Sequence, residues 1–142
     1  METMNLEKVH LERHTSAGTD IQDLTSDLAT LIDAAGISDG WMMLFVPGST
    51  ASLTTIEFET GAVNDFKRAL EKIAPEAGEY EHNLRWGDGN GYSHVRAALM
   101  GPSLLVPIAD GELATGTWQQ VVLCDFDNRP RKRRVLVQII GT

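Results

Sequence analysis

Hydrophobic positions along the chain change period several times, and each change marks an element. Met4 to His14 alternates weakly and predicts a strand. Ile21, Leu24, Leu28, Leu31, Ile32 and Ala35 recur at helical spacing. Thr19-Asp20 offers an N-cap ahead of them, and Gly36 stands where a left-handed C-cap is needed. Trp41 to Val46 is a short continuous apolar run, the mark of a buried strand, and Pro47-Gly48 breaks it. Leu53 to Phe58 alternates and is rich in Thr and Ile, a second strand of this region. Val63, Phe66, Leu70 and Ile73 predict another helix, closed by Pro75. Ser93 caps a short helix through Leu99, ended by Gly101-Pro102. The last third reads as β: Leu104 to Ile108, a tight Asp110-Gly111 turn, a return over Leu113 to Thr115, then Trp118 to Phe126 and Val135 to Ile140. The polar turn Asp127-Asn128-Arg129-Pro130 joins the last two strands.

No repeat, low-complexity segment or linker interrupts this pattern, so residues 1–142 read as a single domain. The two amphipathic helices are too few to cover both faces of so large a sheet. One face is therefore expected to stay free for a partner, and a homo-oligomer is the simplest way to cover it. At 42% hydrophobic and 23% charged residues the composition is that of a soluble globular protein. No stretch approaches the ~18 apolar residues of a membrane span, and Met1 to His14 lacks an apolar signal core. No membrane association and a cytoplasmic location are the expectations. Cys124 is the one cysteine, which excludes an internal disulfide and a Cys-based zinc cage. Its apolar surroundings predict a buried, inert thiol.

Charge adds one local feature. The net charge is −8, a poor match to nucleic acid as a partner. Five of the twelve cations nevertheless crowd between Arg129 and Arg134. That run is either a solvated turn or an anion site for a phosphate or a neighbouring subunit.

The candidate chemistry concentrates between Tyr80 and His94. His82, Asp88 and His94 sit there among glycines that let the backbone fold tightly and bring them together. Two imidazoles and a carboxylate suit Zn²⁺ or another divalent ion, and histidine also serves as general acid or base. The competing reading is a hydrogen-bonded polar loop under an aromatic lid of Trp86 and Tyr92. Gly87-Asp88-Gly89-Asn90-Gly91 fits neither a dinucleotide fingerprint nor a calcium loop. Pro47 to Ser52 is a second constellation. Its glycine and its hydroxyls on Ser49, Thr50 and Ser52 can cradle a phosphate, or can satisfy their own turn. Trp118 reads as core, with stacking on a ligand as the other role. His10 and His14 read as surface or packing residues.

Several of these segments together resemble the YjbQ-type family, small proteins often named secondary thiamine-phosphate synthases. The resemblance is carried by Phe45-Val46-Pro47-Gly48-Ser49-Thr50-Ala51-Ser52-Leu53-Thr54, Gly78-Glu79-Tyr80-Glu81-His82, Ser93-His94, Gly101-Pro102-Ser103-Leu104 with Val106-Pro107, and Gly116-Thr117-Trp118-Gln119. It extends from about residue 4 to residue 140. It implies a compact α+β domain with a mixed, mostly antiparallel sheet and two main helices, assembled as a trimer. It also implies a weak activity that joins the pyrimidine diphosphate and thiazole phosphate precursors of thiamine.

In that reading His82, Asp88, His94 and Asn90 carry the chemistry, and His82, His94 and Asp88 hold a divalent metal, Zn²⁺ or Mg²⁺. Ser49, Thr50, Arg85, Trp86, Trp118 and Gln119 bind the substrate, the tryptophans by stacking on its ring. The family's polar cluster usually has a His directly before the Thr-Ser-Ala of the strand-turn-strand segment, and this chain has Gly48 there. A three-His site is thereby reduced to two. Asp88, Asn90 or water fills the place, or metal binding is lost. The rival reading is a non-catalytic trimer that binds a metal or a small, phosphorylated molecule. A structural or interaction module is the third.

Overall fold

In a computed structural model, residues 3–142 of the chain are described. Eight strands and four helices follow in the order β1 (Asn5–Thr15), β2 (Asp20–Asp23), α1 (Thr25–Ala35), β3 (Gly40–Phe45), β4 (Ala51–Ile56), α2 (Thr60–Ile73), α3 (Glu81–Trp86), α4 (Gly91–Met100), β5 (Ser103–Ala109), β6 (Glu112–Leu113), β7 (Gln120–Asp125) and β8 (Arg131–Gly141). The strands form two sheets, ordered β1-β8-β3-β5-β6 and β2-β7-β4. The architecture is thus α+β. The expected single mixed sheet is instead two sheets, and the strand pairings among the described residues are all antiparallel.

Strand β7 explains the layering. Its residues are buried on both faces, so it reads as an unbroken apolar run rather than an alternation. Val121 and Leu123 face one core, which they share with Leu24, Leu28 and Ile32, with Met42 and Leu44 of β3, and with Val135, Val137 and Ile139 of β8. Val122, Cys124 and Phe126 face a second core, with Leu70 of α2 and Ala97 of α4. The small sheet is therefore sandwiched: the large sheet and α1 lie on one side, α2 and α4 on the other. Burying each Leu, Ile or Phe contributes about 1.5–3 kcal/mol, so the two cores account for most of the cohesion.

One helix boundary differs from the sequence expectation. Ile21 fits the helical spacing, yet Asp20–Asp23 is a strand on β7, with Ile21 opposite Cys124. The helix begins only at Thr25, whose N–H is accepted by the Asp23 carboxylate at 2.9 Å. Thr19-Asp20 is accordingly no N-cap; Leu24 takes that position and donates its N–H to the Val121 carbonyl. A strand pairing has overridden local periodicity here. The Gly36 cap is as expected, left-handed at φ 66°. Asp110 and Gly111 both have positive φ, as the tight β5–β6 turn requires.

The large sheet has one face without a covering layer. Cross-strand register puts Leu6, Ile140, Trp41 and Pro107 in one row over β1, β8, β3 and β5. His10, Leu136, Phe45 and Ser103 form another row, with Met43 and Leu105 between. Leu6, Trp41, Phe45, Leu105 and Leu136 are all exposed. No helix among the described residues is long and apolar enough to cross a membrane.

Candidate functional site

The polar span between α2 and α4 is organised by two asparagines. Asn83 Oδ1 accepts the Gly91 N–H at 2.8 Å, which ties α3 to the start of α4. Asn90 is buried, and its Oδ1 accepts from the Ser93 hydroxyl at 2.7 Å and the Asn128 N–H at 3.1 Å. Gly91 admits no side chain, because a Cβ there would lie 2.5 Å from that of Tyr80. The turn between the helices closes through Gly87 and Gly89, both left-handed.

This frame brings three of the expected residues together. The rings of His82 and His94 lie 4.4 Å apart between centroids, tilted by 41°. Asp88 Oδ1 lies 3.4 Å from His82 Nδ1. That contact is not a hydrogen bond, and His82 Nδ1 is buried without one. Burial holds the His94 imidazole below its ordinary value and the neighbouring His82 adds to the shift. Asp88, Asp127 and a hydrogen bond with the Ser49 backbone act in the opposite sense. The site thus favours the neutral His94 ring, the form that accepts a proton.

His94 also lines a cleft of about 360 Å³ with Gly48 and Ser49. Its remaining walls, Ala51, Ala97, Ala98 and Pro102, are apolar. A small molecule with one polar end suits such a space.

Other expected site residues are engaged elsewhere. Thr50 is buried; its hydroxyl donates to Asp127 Oδ2 at 2.9 Å and accepts from Arg133 Nη2. Asn90 is the turn's organiser, with its acceptor oxygen fully used. Gln119 Oε1 accepts the Gly116 N–H and its Nε2 donates to Thr55, so it closes a turn. Trp118 is 73% exposed, which corrects the reading of it as core. Arg85 stacks on Trp86, 5.5 Å from the ring centroid, and both are exposed. None of these four side chains, Arg85, Trp86, Trp118 or Gln119, lines the cleft. The paired aromatic lid is also corrected: Tyr92 is buried beneath the Arg96 guanidinium, 4.9 Å from its ring, and burial pushes its hydroxyl up to about 12.

The basic run is neither a solvated turn nor a free anion patch as a whole. Arg133 Nε donates to Asp125 Oδ2 at 2.6 Å and its Nη2 to Asp125 Oδ1 at 2.9 Å. Arg131 pairs with Asp127 at 3.0 Å, Lys132 with Glu12 at 3.4 Å, and Arg134 lies beside His10. The burial of Arg133 was legible in the alternation, since 133, 135, 137 and 139 share one face of β8. Arg96 carried no such signal. It is buried, with its Nε on the Ala74 carbonyl, its Nη1 on Thr19 and its Nη2 on Glu71.

Cys124 is buried as expected, and burial pushes its thiol up to about 12. It has no nucleophilic role at neutral pH.

Two antiparallel sheets, with a paired-histidine cleft against the smaller one, define a small α+β protein with one polar pocket. Residues 9–142 match the family described as UPF0047 protein YjbQ-like, and the chain belongs to that family. A UPF0047 protein of Archaeoglobus fulgidus is 33% identical over 132 residues, covering 93% of this chain and 100% of the relative. A UPF0047 protein of Methanothermobacter thermautotrophicus is 34% identical over 92% of this chain and 90% of its own. Among solved structures, a YbjQ-like protein of unknown function from Sulfolobus solfataricus superposes with a TM-score of 0.93 at 26% identity, over 99% of this chain and 100% of that one. An uncharacterized conserved protein of the YjbQ/UPF0047 family from Clostridium acetobutylicum gives 0.84 at 33% identity, over 92% and 98%.

The resemblance implies a divalent metal at His82, His94 and Asp88. Among the described residues no three His, Cys, Asp or Glu side chains are arranged to hold an ion. At residue 48, Arg133 Nη1 lies 2.8 Å from where a Cβ would stand. A guanidinium offers hydrogens and no lone pair, so it cannot replace a missing imidazole ligand. Among the described residues the three-ligand site that the resemblance implies is therefore not formed.

Proposed function

We propose that this protein acts as a homotrimer whose Gly48–His94 cleft takes a small phosphorylated molecule. His82 and His94 serve as acid–base groups, with the Asp88 carboxylate beside His82 as its charge partner. The observation that carries this reading is the His82–His94 pair, 4.4 Å apart, with one ring lining the cleft. The resemblance supports a weak condensation of pyrimidine diphosphate with thiazole phosphate as the reaction. In it the thiazole nitrogen donates an electron pair to the pyrimidine methylene carbon. The C–O bond breaks, and its electron pair leaves with pyrophosphate. The histidines would manage the proton on the departing or bound phosphate. The apolar outer face of the large sheet supports self-association, because a patch of this kind is rarely left to water.

The test is turnover of the two precursors by the wild type and by a His82→Gln, His94→Gln double variant of unchanged assembly. Activity in the wild type with loss in the variant supports the reading; full activity in the variant removes it. A second reading, non-catalytic binding of the same class of molecule, is favoured by Gly48 in place of the family's His. A ligand carried through purification, with no turnover, would support that one.

A further inference from the structure

The side chain of Arg133 is nine-tenths buried, 10% exposed, and its donors are unevenly used. Nε and Nη2 serve Asp125, and Nη2 also serves Thr50. An arginine has five N–H donors. The two on Nη1 find no acceptor among the described residues. Nη1 instead rests against residue 48, where any side chain would collide with it at 2.8 Å. Gly48, at φ +121°, keeps that space open in a conformation that suits glycine alone. The same glycine lines the cleft with Ser49 and His94.

Asp125 and Asp127 balance Arg131 and Arg133, so net charge does not draw an anion here. The attraction lies in the geometry of donors. Arg133 does not itself line the cleft, but its unused N–H groups reach the Cβ position of Gly48, which lines it with Ser49 and His94, and such a donor set matches the oxygens of a tetrahedral oxyanion. The cleft walls beyond are apolar, which suits an organic substituent on that oxyanion rather than a free ion.

We infer that the Gly48 end of the cleft seats the phosphate of a small phosphate monoester, on Arg133 Nη1, Ser49 and His94, with its organic part against Ala97 and Pro102. The inference rests on the proposed cleft as the place of binding. It goes beyond that proposal in naming the recognised group and its main donor, and in placing an anion where the resemblance places a metal.

Calorimetric titration of the full chain with phenyl phosphate, inorganic phosphate and Zn²⁺ tests it. Phenyl phosphate is expected to saturate at one per subunit, about fivefold tighter than inorganic phosphate through contact with the apolar walls. Zn²⁺ is expected not to reach stoichiometric binding. Gly48→Ala drives a methyl into Nη1 and is expected to weaken phenyl phosphate about tenfold. Because that variant also strains the backbone, Ser49→Ala is measured beside it, with an expected loss of about fivefold. No saturation by phenyl phosphate, equal affinity for the two phosphates, stoichiometric Zn²⁺, or full affinity in Ser49→Ala each overturns the inference. Phenyl phosphate binding without turnover of the thiamine precursors removes the enzyme reading and leaves this site standing. Turnover unaffected by Gly48→Ala and Ser49→Ala does the reverse.

Discussion

Arg133 grips Asp125 through two parallel hydrogen bonds, Nε to Oδ2 at 2.6 Å and Nη2 to Oδ1 at 2.9 Å, and both side chains lie inside the protein. Thr15 of β1 donates to the same carboxylate at 2.6 Å, so this pair links the two sheets. Removing one partner strands the other charge in a dry setting. Asp125→Ala is expected to cost about 3–5 kcal/mol, and the double change Asp125→Leu, Arg133→Met distinctly less. Urea unfolding midpoints of the three chains check this. A double variant as unstable as the single one would show that the pair's value is not in charge compensation.

The histidine pair gives a kinetic prediction. His82→Gln or His94→Gln is expected to lower any turnover by about 10²–10⁴-fold, the usual worth of a placed acid or base. Asp88→Asn is expected to lower it less, since Asp88 acts through His82. Rates are compared at equal thermal stability, so that a folding defect is not read as a chemical one.

Acid should destabilise the protein in two stages. Burial, followed by the proximity of His82, lowers the His94 value, so the fold favours the neutral ring. That contribution is present above the ordinary histidine range near pH ~6.5 and is lost as pH falls through the lower folded value. Asp127 behaves alike at lower pH. Burial works against its charge, but hydrogen bonds from Thr50, Arg131 and the Arg129 backbone outweigh it and hold the carboxyl low. Its contribution is lost below the ordinary aspartate value of about 3.9. Unfolding midpoints measured from neutral pH downward are expected to fall in both ranges, and His94→Gln is expected to remove the upper one.

The uncovered sheet face makes a prediction about assembly. A mass three times the 15.6 kDa of one chain is expected by light scattering. Leu105→Glu, at the most exposed of that face's large apolar side chains, is expected to yield monomers. A monomeric wild type would remove the trimer proposal.

How much of this was legible beforehand depended on whether the signal was local. The spacing from Leu24 to Ala35 and the cap at Gly36 are local, and α1 formed as read. Asp20–Asp23 was misread because its strand character comes from β7, a hundred residues away. His82, Asp88 and His94 were found by composition, and the short α3 that places His82 was not. Thr50 and Asn90 looked like site residues because they are polar. What decided their roles was which partners reached them first: Asp127 and Arg133 for one, Ser93 and Asn128 for the other. Arg133 was countable as part of a basic run, and the alternation of β8 turns it inward, but its pairing needed the acids of β7 to be known as its neighbours.

The order of strands also bears on how the chain reaches its structure. Strand β8 lies between β1 and β3 in the larger sheet and follows every other strand in the sequence, and β1 and β3 are joined only through it. Asn5 pairs with Gly141 and Thr15 with Arg131, contacts that span nearly the whole chain. A growing polypeptide can assemble the small sheet with α1 and α2 only in part, since β7 too comes late. The larger sheet cannot join β1 to β3 until β8 is available. Such long-range pairing should make folding slow for a domain of this size. The nascent β1 and β3, with Leu6, Trp41 and Phe45 facing outward, would until then be segments for chaperones to shield.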